Sequence, residues 1–273
     1  MKKRAPILGI LAALGLALLL YAWQIEPRRL TVTHVELPPR LAEAFTGKRI
    51  VLISDLHITK DWRKQRSLLA LLEKLKPDYL LIGGDLVWYE RPVEPVVAFL
   101  KRLPPTAGTF AVLGDSDYMG RVRNCAYCHL PQSRQLRTDL PLTFLRNEAL
   151  TIAEGKVLLV GLDGEDDSGW SQICRETIAA DLPTLVLGHY PAVARVVAPY
   201  HPDMILAGDT HGGQIIGVAA LISALGIHGD MPYAYGRYQV DGVPLFVSRG
   251  IGESILPLRL GCPPEVVVME GRR

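Results

Sequence analysis

Short, wholly apolar runs recur along the chain and each ends in glycine-bearing polar punctuation. Ile50-Val51-Leu52-Ile53, Tyr79-Leu80-Leu81-Ile82, Thr109 to Leu113, Leu185-Val186-Leu187 and Met204-Ile205-Leu206-Ala207 show no apolar-polar alternation, as expected of strands buried on both faces of a sheet. Between them, Gln65 to Leu75 sets Leu68, Leu69, Leu71, Leu72 and Leu75 at helical spacing and is stopped by Pro77, and Glu94 to Arg102 ends at Pro104-Pro105. Ser171 to Ala180 reads as another helix, and further strands are expected at Leu30 to Leu37, Leu150 to Ala153, Lys156 to Val160, Arg237 to Val240, Pro244 to Ser248 and Glu265 to Met269. Strand, polar motif, helix is the rhythm of an α/β domain.

The amino terminus follows a different pattern. Lys2, Lys3 and Arg4 precede an uncharged stretch from Ala5 to Trp23, nineteen residues closed by Tyr21-Ala22-Trp23, a length that nearly spans a bilayer core with aromatic residues at its interface. A cleavable signal peptide is the competing reading, with Gly15-Leu16-Ala17 as its best cleavage site. The apolar run continues past that point through Leu18-Leu19-Leu20, which favours an uncleaved single-pass anchor. Lys2, Lys3 and Arg4 against Arg28 and Arg29 bias the domain that follows to the extracytoplasmic side. Residues 1–27 are therefore expected to be an anchor, 28–48 a linker and first strand, and 49–273 a single domain. Tyr118 to Leu140, polar and aperiodic, is read as an insert.

Composition narrows the function. At 273 residues and 49% hydrophobic content the chain can bury a sizeable core, and a net charge of +2 with scattered basic residues gives no nucleic-acid footprint. The densest basic group, Lys60, Arg63, Lys64 and Arg66, reads as a solvated helix face.

Chemistry gathers at the strand ends. Asp55 and His57, Asp85, Asp115, His189, and Asp209 with His211 each follow an apolar run, and in four of these five places a glycine stands just before the polar residue. Oxygen and imidazole donors without thiolate suit Mn, Fe, Zn or Mg, and seven candidate ligands exceed what one ion usually takes. Two ions, divalent or of mixed valence, are implied, a pairing that suits in-line displacement at phosphorus.

The ordered motifs SDLH at 54–57, GGDL at 83–86, GDSD at 114–117, GHYP at 188–191 and GDTHGGQ at 208–214 resemble the calcineurin-like metallophosphoesterase family. The likeness covers about Arg49 to Glu265. Its tail motifs, Ser248-Arg249-Gly250-Ile251-Gly252 and Gly261-Cys262-Pro263-Pro264-Glu265, are similar to a membrane-associated bacterial branch related to UDP-2,3-diacylglucosamine hydrolases. The resemblance implies a four-layer αββα sandwich with metals between the sheets. It further implies a first metal site of Asp55, His57, Asp85 and His211, with Asp85 bridging to a second of Asp115, His189 and Asp209. A metal-bridging hydroxide would attack a phosphomonoester, phosphodiester or pyrophosphate bond, and the anchor points to a lipid-linked or other phosphate-containing substrate.

Three residues depart from the family pattern: Asp115 stands where Asn is usual, Asp209 where His is usual, and Ser116 where a catalytic histidine is usual. Asp85, Asp115 and Ser116 are thus the residues on which turnover depends. A serine offers no titratable proton near neutral pH. Four carboxylates and a hydroxide also set five negative charges against the four positive charges of two divalent ions. The expected remedies are a trivalent or harder ion in the second site, or an Asp115 that is protonated or turned away.

Cys125-Ala126-Tyr127-Cys128-His129 matches the haem c attachment pattern C-x-x-C-H. Haem, a disulfide within the pair or with Cys174, and a metal or free-thiol role all stay open. The insert begins just after Ser116, so His129 or a bound cofactor is a candidate replacement for the missing histidine. Cys262 is expected to be buried packing. The competing function is a catalytically weakened metal-binding pseudoenzyme, or a haem-bearing redox or sensor protein, on the same scaffold.

Overall fold

The computed structural model describes residues 4–59, 62–88, 92–119, 124–130, 137–164, 167–179, 181–218, 221, 233–254 and 256–272. Lys2, Lys3, Lys60, the end of the expected helix at Ala180 and parts of the insert lie outside them.

The described residues form two six-stranded sheets. In spatial order the first holds β1 (Thr31–His34), β14 (Glu265–Glu270), β2 (Arg49–Ile53), β3 (Tyr79–Ile82), β4 (Gly108–Ala111) and β7 (Thr143–Phe144). It is parallel except where β14 meets β2. The second holds β12 (Gly236–Val240), β13 (Val243–Val247), β11 (Met204–Ala207), β10 (Thr184–Leu187), β9 (Val157–Gly161) and β8 (Glu148–Ile152), antiparallel only at its two edges.

Alternation along each strand sorts its side chains into layers. Ile50, Leu52, Tyr79, Leu81 and Phe110 face inward to meet Leu159, Leu187, Leu206 and Phe246 of the other sheet. Val51, Ile53, Leu80 and Ile82 face outward to Leu68, Leu72, Val96 and Phe99 of helices α3 (Trp62–Leu75) and α4 (Glu94–Leu100). On the far side Val160, Val186 and Ile205 pack against Trp170, Cys174, Val193 and Val197 of α5 (Trp170–Thr177) and α6 (Val193–Val197). The expected αββα sandwich is therefore present. Burial on both faces explains why these strands carry no polar residues in alternation. The short helix α2 (Pro39–Ala44), α6 and the two-residue β7 were not anticipated, because none is long enough to show a period.

The apolar helix α1 (Arg4–Leu20) runs into a π-helical turn, Tyr21–Ile25, and a 3₁₀ turn, Glu26–Arg28. Gly9–Arg28 is long and apolar enough to cross a membrane, and Ile10, Leu14 and Leu19 on its surface are exposed. Its foot is not a loose linker. Ala22, Glu26 and Pro27 are buried; Arg259 N donates to Ala22 O at 3.0 Å and Cys262 N to Glu26 Oε1 at 2.6 Å. A carboxylate enclosed in this way stays in place because a backbone N–H satisfies it.

The insert opens with a small hairpin, β5 (Tyr118–Met119) and β6 (Asn124–Cys125), and Cys125 and Cys128 form a disulfide. Of the roles left open for this pair, the disulfide is the one adopted. Both sulfurs are consumed, so the thioether bonds that would hold haem c have no thiols to form from, and Cys174 is a buried free thiol. Closing so small a loop contributes about 2 kcal/mol on chain-entropy grounds. Replacing both cysteines by serine is expected to lower the thermal midpoint by roughly 5 °C, measured by calorimetry.

Candidate metal centre

Both sheets deliver their polar motifs at the carboxyl ends of adjacent strands, where open α/β sheets place ligands. Asp55 and His57 follow β2, Asp85 follows β3 and Asp115 follows β4; from the facing sheet His189 follows β10, and Asp209 and His211 follow β11. Five of these seven residues, Asp55, His57, Asp85, Asp209 and His211, hold left-handed backbone with φ between 42° and 73°. Non-glycine residues are uncommon there, and such strain collects where surrounding structure over-determines a functional side chain. Gly84, at φ 93°, packs against Gly114 and His189, and a methyl group on it would lie 2.8 Å from His189 Nδ1.

The donors converge in two overlapping triads. Ligand atoms of Asp55, His57 and His211 lie within 4.8 Å of one another, as do those of Asp55, Asp85 and His189. Asp85 faces both groups, Oδ2 being 3.4 Å from His57 Nε2 and Oδ1 3.5 Å from His189 Nε2. Asp209 and Asp115 stand at the second group's edge, with Oδ1 atoms 3.8 and 3.9 Å from His189 Nε2. Asp115 is the outlier, its side chain 57% exposed against 0% for His189.

Backbone contacts orient the donors. His189 Nδ1 lies 2.8 Å from Gly83 O and His211 Nδ1 3.2 Å from Gly252 O, so each ring donates from Nδ1 and aims its Nε2 inward. His57 Nε2 and His211 Nε2 face each other at 3.0 Å, close enough to share one cation. Asp55 Oδ1 accepts from Asp209 N at 2.9 Å and so ties the sheets together. Its Oδ2, like His189 Nε2, is buried with no hydrogen-bond partner among the described residues. Orphaned buried donor atoms in an oxygen and imidazole set fit divalent cations.

The electrostatics call for positive charge. Burial pushes the Asp85 carboxyl well above its ordinary value, and Asp117, Asp115 and Asp55 add to the effect. Burial likewise raises Asp209 to about 6. Burial pulls the His189 imidazole down, but Asp85, Asp55 and Asp209 outweigh it and hold the ring at about 10. Burial keeps His57 and His211 below their ordinary value, in the neutral form that binds metal.

Beneath the centre lies Asp117, which the sequence reading passed over. Its carboxylate accepts from Asp85 N at 2.8 Å, Leu86 N at 2.8 Å, Val87 N at 3.2 Å and Gly114 N at 3.0 Å. It thereby fixes two of the ligand-bearing loops. The signal was present as the final acid of GDSD, but a loop aspartate looks the same whether it is solvated or braced. Ser116 points at Asp85, donating from Oγ to Oδ2 at 2.8 Å and from N to Oδ1 at 3.1 Å. The insert brings Tyr127 against this region, buried beside Asp117, whereas His129 belongs to neither ligand triad.

Comparison with known proteins points to one family. The family model for calcineurin-like phosphoesterase matches residues 48–213. The uncharacterized metallophosphoesterase YkuE of Bacillus subtilis is 26% identical, over 98% of this chain and 96% of its own. The phosphodiesterase YaeI of Escherichia coli is 32% identical, over 81% of each chain. A transmembrane protein with metallophosphoesterase domain from Bos taurus is 30% identical over 86% of this chain and 55% of its own length.

Two outcomes test the centre. Asp117→Asn turns an amide toward four N–H donors; it should cost about 3 kcal/mol in urea denaturation and lower the bound Mn²⁺. In metal-free protein the raised His189 value means folding favours the protonated ring. That contribution is complete below the ordinary 6.5 and is lost as pH climbs toward about 10. Metal-free protein should therefore melt lower at alkaline than at neutral pH, and saturating Mn²⁺ should flatten the dependence; equal slopes with and without the ion would contradict the assignment.

Proposed function

The chain belongs to the calcineurin-like phosphoesterase family, and on that footing we propose that this phosphoesterase works through a two-metal centre. Asp55, His57, Asp85 and His211 would hold one ion, and Asp85, His189 and Asp209, with Asp115 at the rim, the other. The observation that carries the reading is the placement of Asp85, one oxygen toward His57 and the other toward His189. When bound, such a pair of ions supplies an activated water and neutralises the phosphoryl oxygens.

The chain's own residues provide the rest. His189 and His211 are locked at Nδ1, so their Nε2 atoms do not swing away during turnover. Ser116 is committed to Asp85 and offers no acid to a departing alkoxide. Esters whose leaving groups need no protonation are therefore the better substrates.

We read the apolar amino-terminal helix as a membrane anchor and place the catalytic domain outside the cytoplasm. The disulfide supports this placement, because such bonds persist in oxidising compartments. A bovine relative described as a transmembrane protein supports the anchor. The bond cleaved is a phosphomonoester, phosphodiester or pyrophosphate on a lipid-linked or envelope substrate.

Purified full-length protein should hydrolyse an aryl phosphoester in the presence of Mn²⁺, and Asp85→Ala should reduce turnover more than about 100-fold. Absence of Mn²⁺-dependent activity in the native protein would refute the reading. Ser116→His should raise turnover of alkyl esters roughly ten-fold relative to aryl esters, seen as a flatter dependence of rate on leaving-group pKa.

A further inference from the structure

A cavity of about 410 Å³ lies beside the metal centre, a size suited to a small-molecule ligand. His57 lines it, with Trp88 edge-on to the His57 ring at 5.3 Å between centroids. Trp23, Pro27 and Arg28, all from the foot of the apolar helix, also line it. A wall drawn from the membrane-side segment is unexpected if that segment is only a tether.

The wall is fixed in place. Glu26 and Ala22 bind the backbone of Cys262 and Arg259. The fully buried Arg259 guanidinium in turn donates to the carbonyls of Cys262 and Arg249, each at 3.0 Å, and of Gly252. Gly252 O is also the partner of His211 Nδ1. A continuous hydrogen-bonded path thus runs from the helix foot to a ligand of the metal centre, and the cavity is preformed rather than assembled by a moving linker.

The chemistry of the lining has two characters. Arg28, Arg63 and Lys64 line the cavity together with Glu253, which pairs with Lys64 at 2.6 Å. Basic side chains in the lining suit an anionic group near the metals. Trp23 is 51% exposed and continues the apolar surface of the helix, whose Leu14, Leu16 and Leu19 are about equally exposed. An apolar chain leaving the cavity along Trp23 would therefore meet the helix surface and the bilayer around it.

Resting on the phosphoesterase reading, we propose that the foot of the amino-terminal helix is part of the substrate site. The cavity takes an amphiphilic phosphoester, holding the phosphate beside His57 and leading its hydrocarbon chain out between Trp88 and Trp23 into the membrane. Trp23 and Arg28 are then specificity-determining residues of the enzyme as well as parts of its anchor.

The test uses full-length protein in lipid nanodiscs with Mn²⁺ and two nitrophenyl phosphodiesters, whose second ester is either ethyl or hexadecyl. The hexadecyl ester should show a kcat/KM at least roughly ten-fold higher in the native protein. Trp23→Ala should collapse that ratio toward one, and Trp23→Phe should restore it. No chain-length preference in the native protein, or a ratio unchanged in Trp23→Ala, would overturn the proposal. If neither ester is cleaved, the phosphoesterase reading fails, and the cavity is judged by binding. Hexadecylphosphonate should then bind roughly ten-fold tighter than ethylphosphonate, with the preference lost in Trp23→Ala; equal affinities would overturn the proposal.

Discussion

Like charges held close together in a buried place repel, and the packing around this centre is organised to resist that repulsion. Asp55, Asp85, Asp115 and Asp209 all bear on His189, whose ring is driven toward the protonated state by the first two and Asp209. The sheets supply position but no counter-charge. Backbone N–H groups supply the restraint: Asp117 gathers four of them beneath Asp85 and Gly114, and Asp55 takes the N–H of Asp209 from the opposite sheet. Left-handed backbone at five of the ligands is the local cost of aiming them at one volume. Cations relieve the repulsion, so a stable fold and a loaded centre are coupled properties.

The same carbonyl and N–H network reaches further than the ligands. Gly252 O is shared by His211 and Arg259, and Arg259 joins the strand-free tail to the helix foot through Ala22. A buried guanidinium whose terminal nitrogens are held by backbone carbonyls, with Glu253 3.7 Å from its Nε, is rigid, because each donor lost would leave a buried charge unpaired. Catalytic domain and amino-terminal helix are consequently one packed body at their junction. This junction gives a physical reason for a helix that widens into a π turn and then tightens into a 3₁₀ turn just before the domain begins.

How much of this was legible in the sequence depended on burial. Strands flanked by helices on one side and a second sheet on the other must be apolar on both faces, so Ile50 to Ile53 and Met204 to Ala207 could be read directly. The strand-end acids and histidines stood out because each interrupts such a run. Short elements were hidden: α2, α6 and β7 are held by tertiary packing and have too few residues to show a period. Local charge pattern puts Lys64 on a solvated helix face, yet it is partly buried against Glu253, a residue far along the chain that no local pattern connects to it. Asp117, Glu26 and Arg259 were missed for a related reason. Their importance lies in backbone groups that fold around them, and backbone groups leave no mark in a sequence.

The unusual aspartates then acquire a consistent explanation. Had Asp115 been drawn in as a full ligand, four carboxylates and a bridging hydroxide would set five negative charges against the four of two divalent ions, and an arriving phosphate would be repelled. Its side chain stands 57% exposed, where water screens it. Without it, Asp55, Asp85, Asp209 and the hydroxide would balance two divalent ions, and the repulsion of the phosphate would be lifted. Asp209 carries the other extra negative charge; it is half-buried, and desolvation raises its carboxyl to about 6. Replacing a neutral ligand by aspartate is tolerable at a rim and expensive in the interior. The two replacements are distributed accordingly, with the more exposed Asp115 at the mouth and the half-buried Asp209 beside His189.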